Sequence, residues 1–301
     1  MPRLAGPAGA PCFVLANGLT QYAPLWDVHA KALVARGYRV VTFDLFGQGR
    51  SEKPALFIGQ DDQVAVLDAI IDQVSDAPVF VAGISFGGVI ALSHAIAHAG
   101  RLAGLVPLST FATLSPQLQL IGSALLQGLA LGGIGYLQDL LFPMNLSDAW
   151  LGPRLAQLPA IKRAGLVAND LFALQNLMQS FIGQPSLAPG LPRIACPTMI
   201  LNGEFDFLTP RHLHEELRQG IPDSELVLVP RAYHAFTLEM PELVVDLLAG
   251  FAAAVLDGGW KRSRGGKRIW IAPETPGGAL QPFPEGYDPM RALPVRLAGA
   301  A

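Results

Sequence analysis

Short, saturated apolar runs alternate along this chain with longer stretches in which apolar residues recur every third or fourth position. Cys12–Ala16 is apolar throughout and is closed by Asn17-Gly18, which predicts a short buried strand. Leu25, Val28, Ala32, Leu33 and Ala35 then share a stripe over 24–36, ended by Gly37, which predicts a helix. A β-branched strand follows over 38–43 and closes on Asp44; Val64, Leu67, Ile70, Ile71 and Val74 mark a helix over 61–74. Next come a strand over 78–82, a helix from Gly88 to about Ala99, and a strand over 102–108. Strands alternating with helices imply a mostly parallel sheet with helices on both faces.

The alternation stops near Phe111. Up to about Leu191 there are only Leu-, Gln- and Gly-rich stretches at helical spacing, such as Leu171, Leu174, Leu177, Met178 and Phe181. It then returns, with strands over 197–201 and 225–229 and helices over 210–219 and 241–256. The expected organisation is an α/β core in two parts, 12–110 and 192–256, interrupted by a helical lid at 111–191. Such a lid lies over the carboxyl edge of the sheet, where open α/β sheets bind ligands. From 257 to 301 the chain becomes Pro/Gly-rich, with Lys261, Arg262, Arg264, Lys267 and Arg268 clustered, and reads as a solvated, flexible tail; the alternative is that Arg268-Ile269-Trp270-Ile271 docks on the domain, since its large apolar side chains are costly to leave wet.

Composition narrows the function. About 51% of the residues are apolar and 15% charged, enough for a large core. A formal net charge of −3 gives no pull toward nucleic acid. The start of the chain makes a poor signal peptide, so a cytoplasmic protein is expected. Cys12 and Cys196 read as buried reduced thiols, and no metal or cofactor motif stands out. Leu118–Phe142 is long enough to cross a bilayer, but Gln119, Gln127, Gln138 and the run of Gly128, Gly132, Gly133 and Gly135 favour a greasy lid or substrate tunnel over a membrane span.

The chemistry centres on Gly83-Ile84-Ser85-Phe86-Gly87, a G-x-S-x-G at a strand–turn–helix junction. Small flanking residues let strand and helix approach, and the strained turn lifts the Ser85 hydroxyl clear of the sheet as a nucleophile. A serine needs a base. Of the six histidines, His94 and His98 lie on the elbow helix, away from its N-terminus, and His29, His212 and His214 lie within helices as surface or core-edge residues. His234 alone follows a late strand, across a short loop at the carboxyl edge. Asp206, beyond the 197–201 strand, is the preferred acid to hold that imidazole, with Glu204 as the alternative. The oxyanion donors would be the backbone N–H groups of Leu19 and Phe86.

With these residues the chain resembles the α/β-hydrolase superfamily from about Cys12 to Leu256. Asn17-Gly18-Leu19 corresponds to its HG oxyanion motif, with asparagine replacing the usual histidine. Asp44-Leu45-Phe46-Gly47-Gln48-Gly49-Arg50-Ser51 matches its D-x-x-G-x-G-x-S turn. Gly203, Asp206 and Pro210 match its acid loop, and His234, Glu239 and Pro241 its H-x4-E-x-P ending. Too few residues precede Cys12 for the two antiparallel strands that usually open the sheet. The resemblance therefore implies about six strands, or one more supplied by the tail. A narrower group, the 3-hydroxyacyl transferases and synthases of bacterial polyester and rhamnolipid precursors, is similar around Asn17-Gly18, Asp61-Asp62-Gln63-Val64 and Leu201-Asn202-Gly203-Glu204, but has tryptophan at the position of Phe86.

The expected function is a cofactor-free serine hydrolase that cleaves acyl esters of apolar, medium-length chains through a Ser85 acyl-enzyme. The alternatives are an acyltransferase fed by a carrier thioester, with the basic tail recruiting an acyl carrier protein; a lactonase or C–C hydrolase on the same triad; and a binding protein that has lost catalysis.

Overall fold

The computed structural model describes residues 2–54, 57–262 and 268–284. Nine strands form one mixed sheet: β1 (Arg3–Ala5), β2 (Cys12–Ala16), β3 (Arg39–Thr42), β4 (Val79–Ile84), β5 (Gly104–Leu108), β6 (Thr198–Gly203), β7 (Ser224–Val229), β8 (Ile269–Ile271) and β9 (Gln281–Pro282). Their order is β1-β3-β2-β4-β5-β6-β7-β8-β9. The strands from β3 through β8 run parallel, and only the two edges are antiparallel.

Side-chain alternation along β2 shows how the sheet is covered. Cys12, Val14 and Ala16 face one core with Val64, Leu67 and Ile71 of α2 (Gln60–Asp72) and Ile90 of α3 (Phe86–Ala97). Phe13 and Leu15 face the other, with Leu33 of α1 (Asp27–Ala35) and the last long helix. Both faces are buried, so these strands are apolar at every position rather than at alternate ones. From β2 the chain moves outward to β3, then returns to place β4 on the other side of β2. The carboxyl ends of β2 and β4 therefore border the crevice where α/β sheets bind ligands.

Between β5 and β6, where the lid is expected, lie α4 (Pro116–Asn145), α5 (Asp148–Leu151), α6 (Leu158–Ala168) and α7 (Leu171–Ile182). By length and composition α4 could cross a membrane, but it is not one straight rod. Gly133 has φ 69° and ψ −171°, and the chain turns back there, setting Gly128 against Leu140 and Tyr136. Leu129, Ile134 and Leu137 pack with Leu174 and Met178 of α7 as a separate small core. After β6 come α8 (Arg211–Gly220), α9 (Phe236–Glu239), α10 (Pro241–Leu256) and α11 (Gly259–Arg262).

Two expectations change. The six strands expected are β2–β7, and three short ones flank them. The few residues before Cys12 provide one antiparallel strand, Arg3 pairing with Thr42. The tail is not wholly solvated: Ile269-Trp270-Ile271 pairs in parallel with Leu226, Val227 and Leu228, at the sheet edge opposite β1. The reason is physical. Without β8 the edge of β7 would present unpaired backbone groups, and the Ile-Trp-Ile triplet would stay wet. Trp270 Nε1 also donates to Glu225 (2.8 Å), and Ala272 N to Leu228 O (2.8 Å). Arg264 and Lys267 of the basic cluster, and residues 285–301, lie outside the described residues.

Candidate active site

Ser85 stands between β4 and α3 with φ 53° and ψ −118°, a left-handed conformation that costs a non-glycine residue energy. The surroundings enforce it. A Cβ on Gly83 would lie 2.4 Å from Gly87 O, and one on Gly87 2.4 Å from Asn17 O. Both outer glycines of the motif are thus required by close backbone approach, and the second presses the elbow against the end of β2. Ser85 N donates to Leu108 O (2.9 Å) and Ser85 O accepts from Thr110 Oγ1 (2.7 Å), fastening the turn to β5.

The approach at Gly87 brings the loop after β2 beside the first turn of α3. Phe86 is the first residue of that helix, where a backbone N–H has no intrahelical acceptor. Leu19 lies in the facing loop, shaped by Gly18 N donating to Gln21 Oε1 (3.0 Å) and by Thr20 at φ 65°. Asn17 is buried, and its Nδ2 donates to Phe43 O (2.7 Å), tying the ends of β2 and β3. Leu19, Ser85, Phe86 and His234 line one cavity of about 90 Å³, walled by Phe111, Leu118, Met178 and Phe181.

His234 follows β7, and its Nδ1 lies 3.0 Å from both carboxylate oxygens of Asp206. Thr209 donates to the same carboxylate from its backbone N–H (2.9 Å) and hydroxyl (2.7 Å). Burial pushes the Asp206 carboxyl up, but the facing His234 and the Thr209 N–H outweigh it and hold the group below the usual carboxylate range. Glu204 is engaged elsewhere, accepting from the backbone N–H of Arg231 (2.8 Å). Asp44 is structural: it accepts from the N–H groups of Ala23 (2.7 Å) and Arg50 (2.9 Å), and its carboxylate fills the space where Gly49 would carry a Cβ.

Every residue singled out from the sequence, Ser85, His234, Asp206, Leu19 and Phe86, falls in this one region. The elbow-helix histidines do not. His94 is buried, with Nε2 2.9 Å from Asp68, and stacks on His98. Two of the three histidines within helices depart from expectation: His29 and His214 are buried, whereas His212 is exposed. His214 Nε2 accepts the Thr110 N–H (3.1 Å), and its Nδ1 lies 3.4 Å from Pro210 O. It thus bridges the clamp on Ser85 and the end of the acid loop. Burial pushes it down to about 4, so it is neutral and can accept. The polar face of α8 gave no signal for this role, since His214 follows Leu213 on the buried stripe. Cys12 and Cys196 are free and buried, with thiols pushed up by burial to about 12 and about 11.

A family described as "Serine aminopeptidase, S33" matches residues 10–241. Among sequence relatives, the proposed carbamate hydrolase RutD of Azorhizobium caulinodans is 26% identical over 82% of this chain and 93% of its own. The 3-oxoadipate enol-lactonase 1 of Acinetobacter baylyi is 26% identical over 84% of this chain and 92% of its own. Among solved structures, MGS-M2, an α/β-hydrolase enzyme from a Medee basin deep-sea metagenome library, superposes with a TM-score of 0.76 at 25% identity. The match covers 84% of this chain and 94% of that one. With its mostly parallel sheet, helical insertion and serine elbow, the chain belongs to the α/β-hydrolase superfamily, in the family described as Serine aminopeptidase, S33.

Proposed function

We propose that the chain is a serine hydrolase that cleaves carboxylic acyl esters, including internal ones, through a covalent Ser85 intermediate. The observation that carries this reading is that Ser85 and His234, whose ring meets Asp206, line one cavity together with Leu19 and Phe86. Asp206 fixes the His234 proton on Nδ1, which leaves Nε2 as the base. Ser85 Oγ gives its proton to Nε2 and attacks the acyl carbon. The developing oxyanion accepts from the Leu19 and Phe86 N–H groups. His234 then returns the proton to the departing alkoxide, and a water activated by the same nitrogen releases the acid.

The walls Phe111, Leu118, Met178 and Phe181 favour an apolar body beside the reacting carbon. The enol-lactonase name among the relatives supports acyl–oxygen cleavage. The test is turnover of a panel of 4-nitrophenyl esters by the wild-type protein and Ser85→Ala. Loss of a nucleophile typically costs about 10⁴–10⁶ in turnover. A Ser85→Ala protein retaining a hundredth of the wild-type rate would overturn the proposal.

A further inference from the structure

The cavity around Ser85, about 90 Å³, is too small for more than the reacting group of a substrate. A second cavity, of about 670 Å³, adjoins it beneath the helical insertion and shares Leu19, Gln21, Leu141 and Asn145 with it. That volume lies in the range of small-molecule sites, ~300–1,000 Å³. A larger one, about 880 Å³, shares no lining residue with the Ser85 cavity and borders the exposed Arg50 and Arg163 instead. The adjoining cavity is where the body of a substrate attached at Ser85 must extend.

Its lining is mostly apolar, with Gln21, Gln138, Asn145 and Gln157 among its neutral polar residues, and it carries one cation. Leu141, Phe142, Leu146, Trp150 and Ile161 form walls, and Arg154, half-buried, stands among them. The Arg154 Cζ lies 4.5 Å from the centroid of the Trp150 ring, and Nη1 donates to Trp150 O (3.0 Å). Both contacts fix the orientation of the guanidinium without neutralising it. No carboxylate pairs with it among the described residues. Glu239 is near enough for its charge to feel Arg154, yet its two oxygens accept from the N–H (3.1 Å) and hydroxyl of Ser147. A guanidinium has five donors in a planar fork that matches a carboxylate. A cation held in place in a mostly apolar cavity, with donors unspent, is a recognition group for an anion.

We propose, on the basis of the Ser85 hydrolase reading, that the substrate carries a carboxylate remote from the scissile bond, bound by Arg154, with an apolar segment between. Selectivity would then come from the distance between Ser85 and Arg154, and neutral esters would be the poorer substrates.

The test uses the full chain and two matched pairs of esters. One pair places the charge on the acyl side: 4-nitrophenyl hydrogen adipate against its methyl-capped diester. The other places it on the alcohol side: the butyrate of 4-hydroxyphenylacetate against that of its methyl ester. The readout is the ratio of kcat/KM, charged over neutral, in the wild-type protein, Arg154→Gln and Arg154→Lys. In at least one pair the wild type should prefer the charged ester. Arg154→Gln should lower that ratio by about tenfold to a hundredfold, mainly through KM, the usual scale of a lost charged hydrogen bond. Arg154→Lys should keep part of it, which loss of packing alone would not allow. A wild-type ratio at or below one in both pairs, or a ratio unmoved by Arg154→Gln, overturns the assignment. If neither the charged nor the neutral esters are turned over, it is the Ser85 reading that fails. The Arg154 site is then judged by melting: monomethyl adipate should raise the Tm of the wild type and not of Arg154→Gln, and an equal or absent rise overturns it.

Discussion

Two buried histidines should make this fold acid-labile well above the pH at which carboxylates titrate. His29 and His214 are each pushed by burial from 6.5 to about 4, so both are neutral in the folded protein at pH 5. The unfolded chain takes up a proton at each near pH 6.5. It therefore binds more protons than the folded chain, and stability falls as pH falls between 6.5 and about 4. Between pH 7 and pH 5 the loss is about 2 kcal/mol per histidine, or about 4 kcal/mol for the pair. Against the ~5–15 kcal/mol of a typical domain that is a large fraction. His94, also pushed down by burial, adds in the same direction, while Glu239, pushed up by burial, opposes it. Asp206 is held low, so its contribution is lost only below the ordinary carboxylate range and does not enter this window. The assay is urea unfolding at pH 7, 6 and 5 for the wild type and His214→Gln, whose amide oxygen can accept the Thr110 N–H without titrating. The variant's absolute stability is not the readout. Its loss between pH 7 and pH 5 should be smaller than the wild type's by about 2 kcal/mol. Equal losses in the two proteins, or a wild type equally stable at pH 7 and pH 5, would refute the reasoning.

Asp206→Asn should stay folded and slow ester turnover by up to about 10⁴, because the amide can hold the imidazole in the wrong tautomer. Glu204→Gln, at a group that meets Arg231 N rather than His234, should stay within about tenfold, and the reverse ranking would move the acid role. Gly87→Ala should lower both Tm and activity sharply, since its Cβ would meet the Asn17 carbonyl at 2.4 Å and backbone cannot step aside; wild-type values would contradict the elbow packing. Removing residues 263–301 takes away β8 and β9 and should lower Tm by several degrees, as expected for a loss of about 2 kcal/mol of apolar burial. A truncated protein melting with the full-length chain would show the added strands to be incidental.

The parts of the fold legible in the sequence are those with one dominant local cause. Cys12–Ala16 and Val79–Ile84 are apolar at every position because both faces of the sheet are covered, and that pattern reads directly. The elbow was legible because Gly83 and Gly87 serve a backbone contact that no other residue permits. His234 could be picked out by its place after a late strand. What stayed hidden depends on chain segments far apart. Three exposed residues, Arg3–Ala5, carry no strand pattern and become β1 only because β3 offers an edge. Ile269-Trp270-Ile271 stands out as an apolar triplet costly to leave wet, but three residues against a basic, Pro/Gly-rich background do not say which sheet edge they join. The role of His214 arises from a contact with Thr110, 104 positions away, and the amphipathic pattern of α8 has no way to announce it.

The most direct test of the central claim is the mass of the intact protein after a brief exposure to a slowly turned-over 4-nitrophenyl ester and an acid quench. The wild type should gain one acyl group, mapped by peptide sequencing to Ser85, and Ser85→Ala should gain none. Asp206→Asn should accumulate the adduct slowly. An adduct on another residue, or equal labelling of wild type and Ser85→Ala, would contradict a covalent mechanism at the elbow.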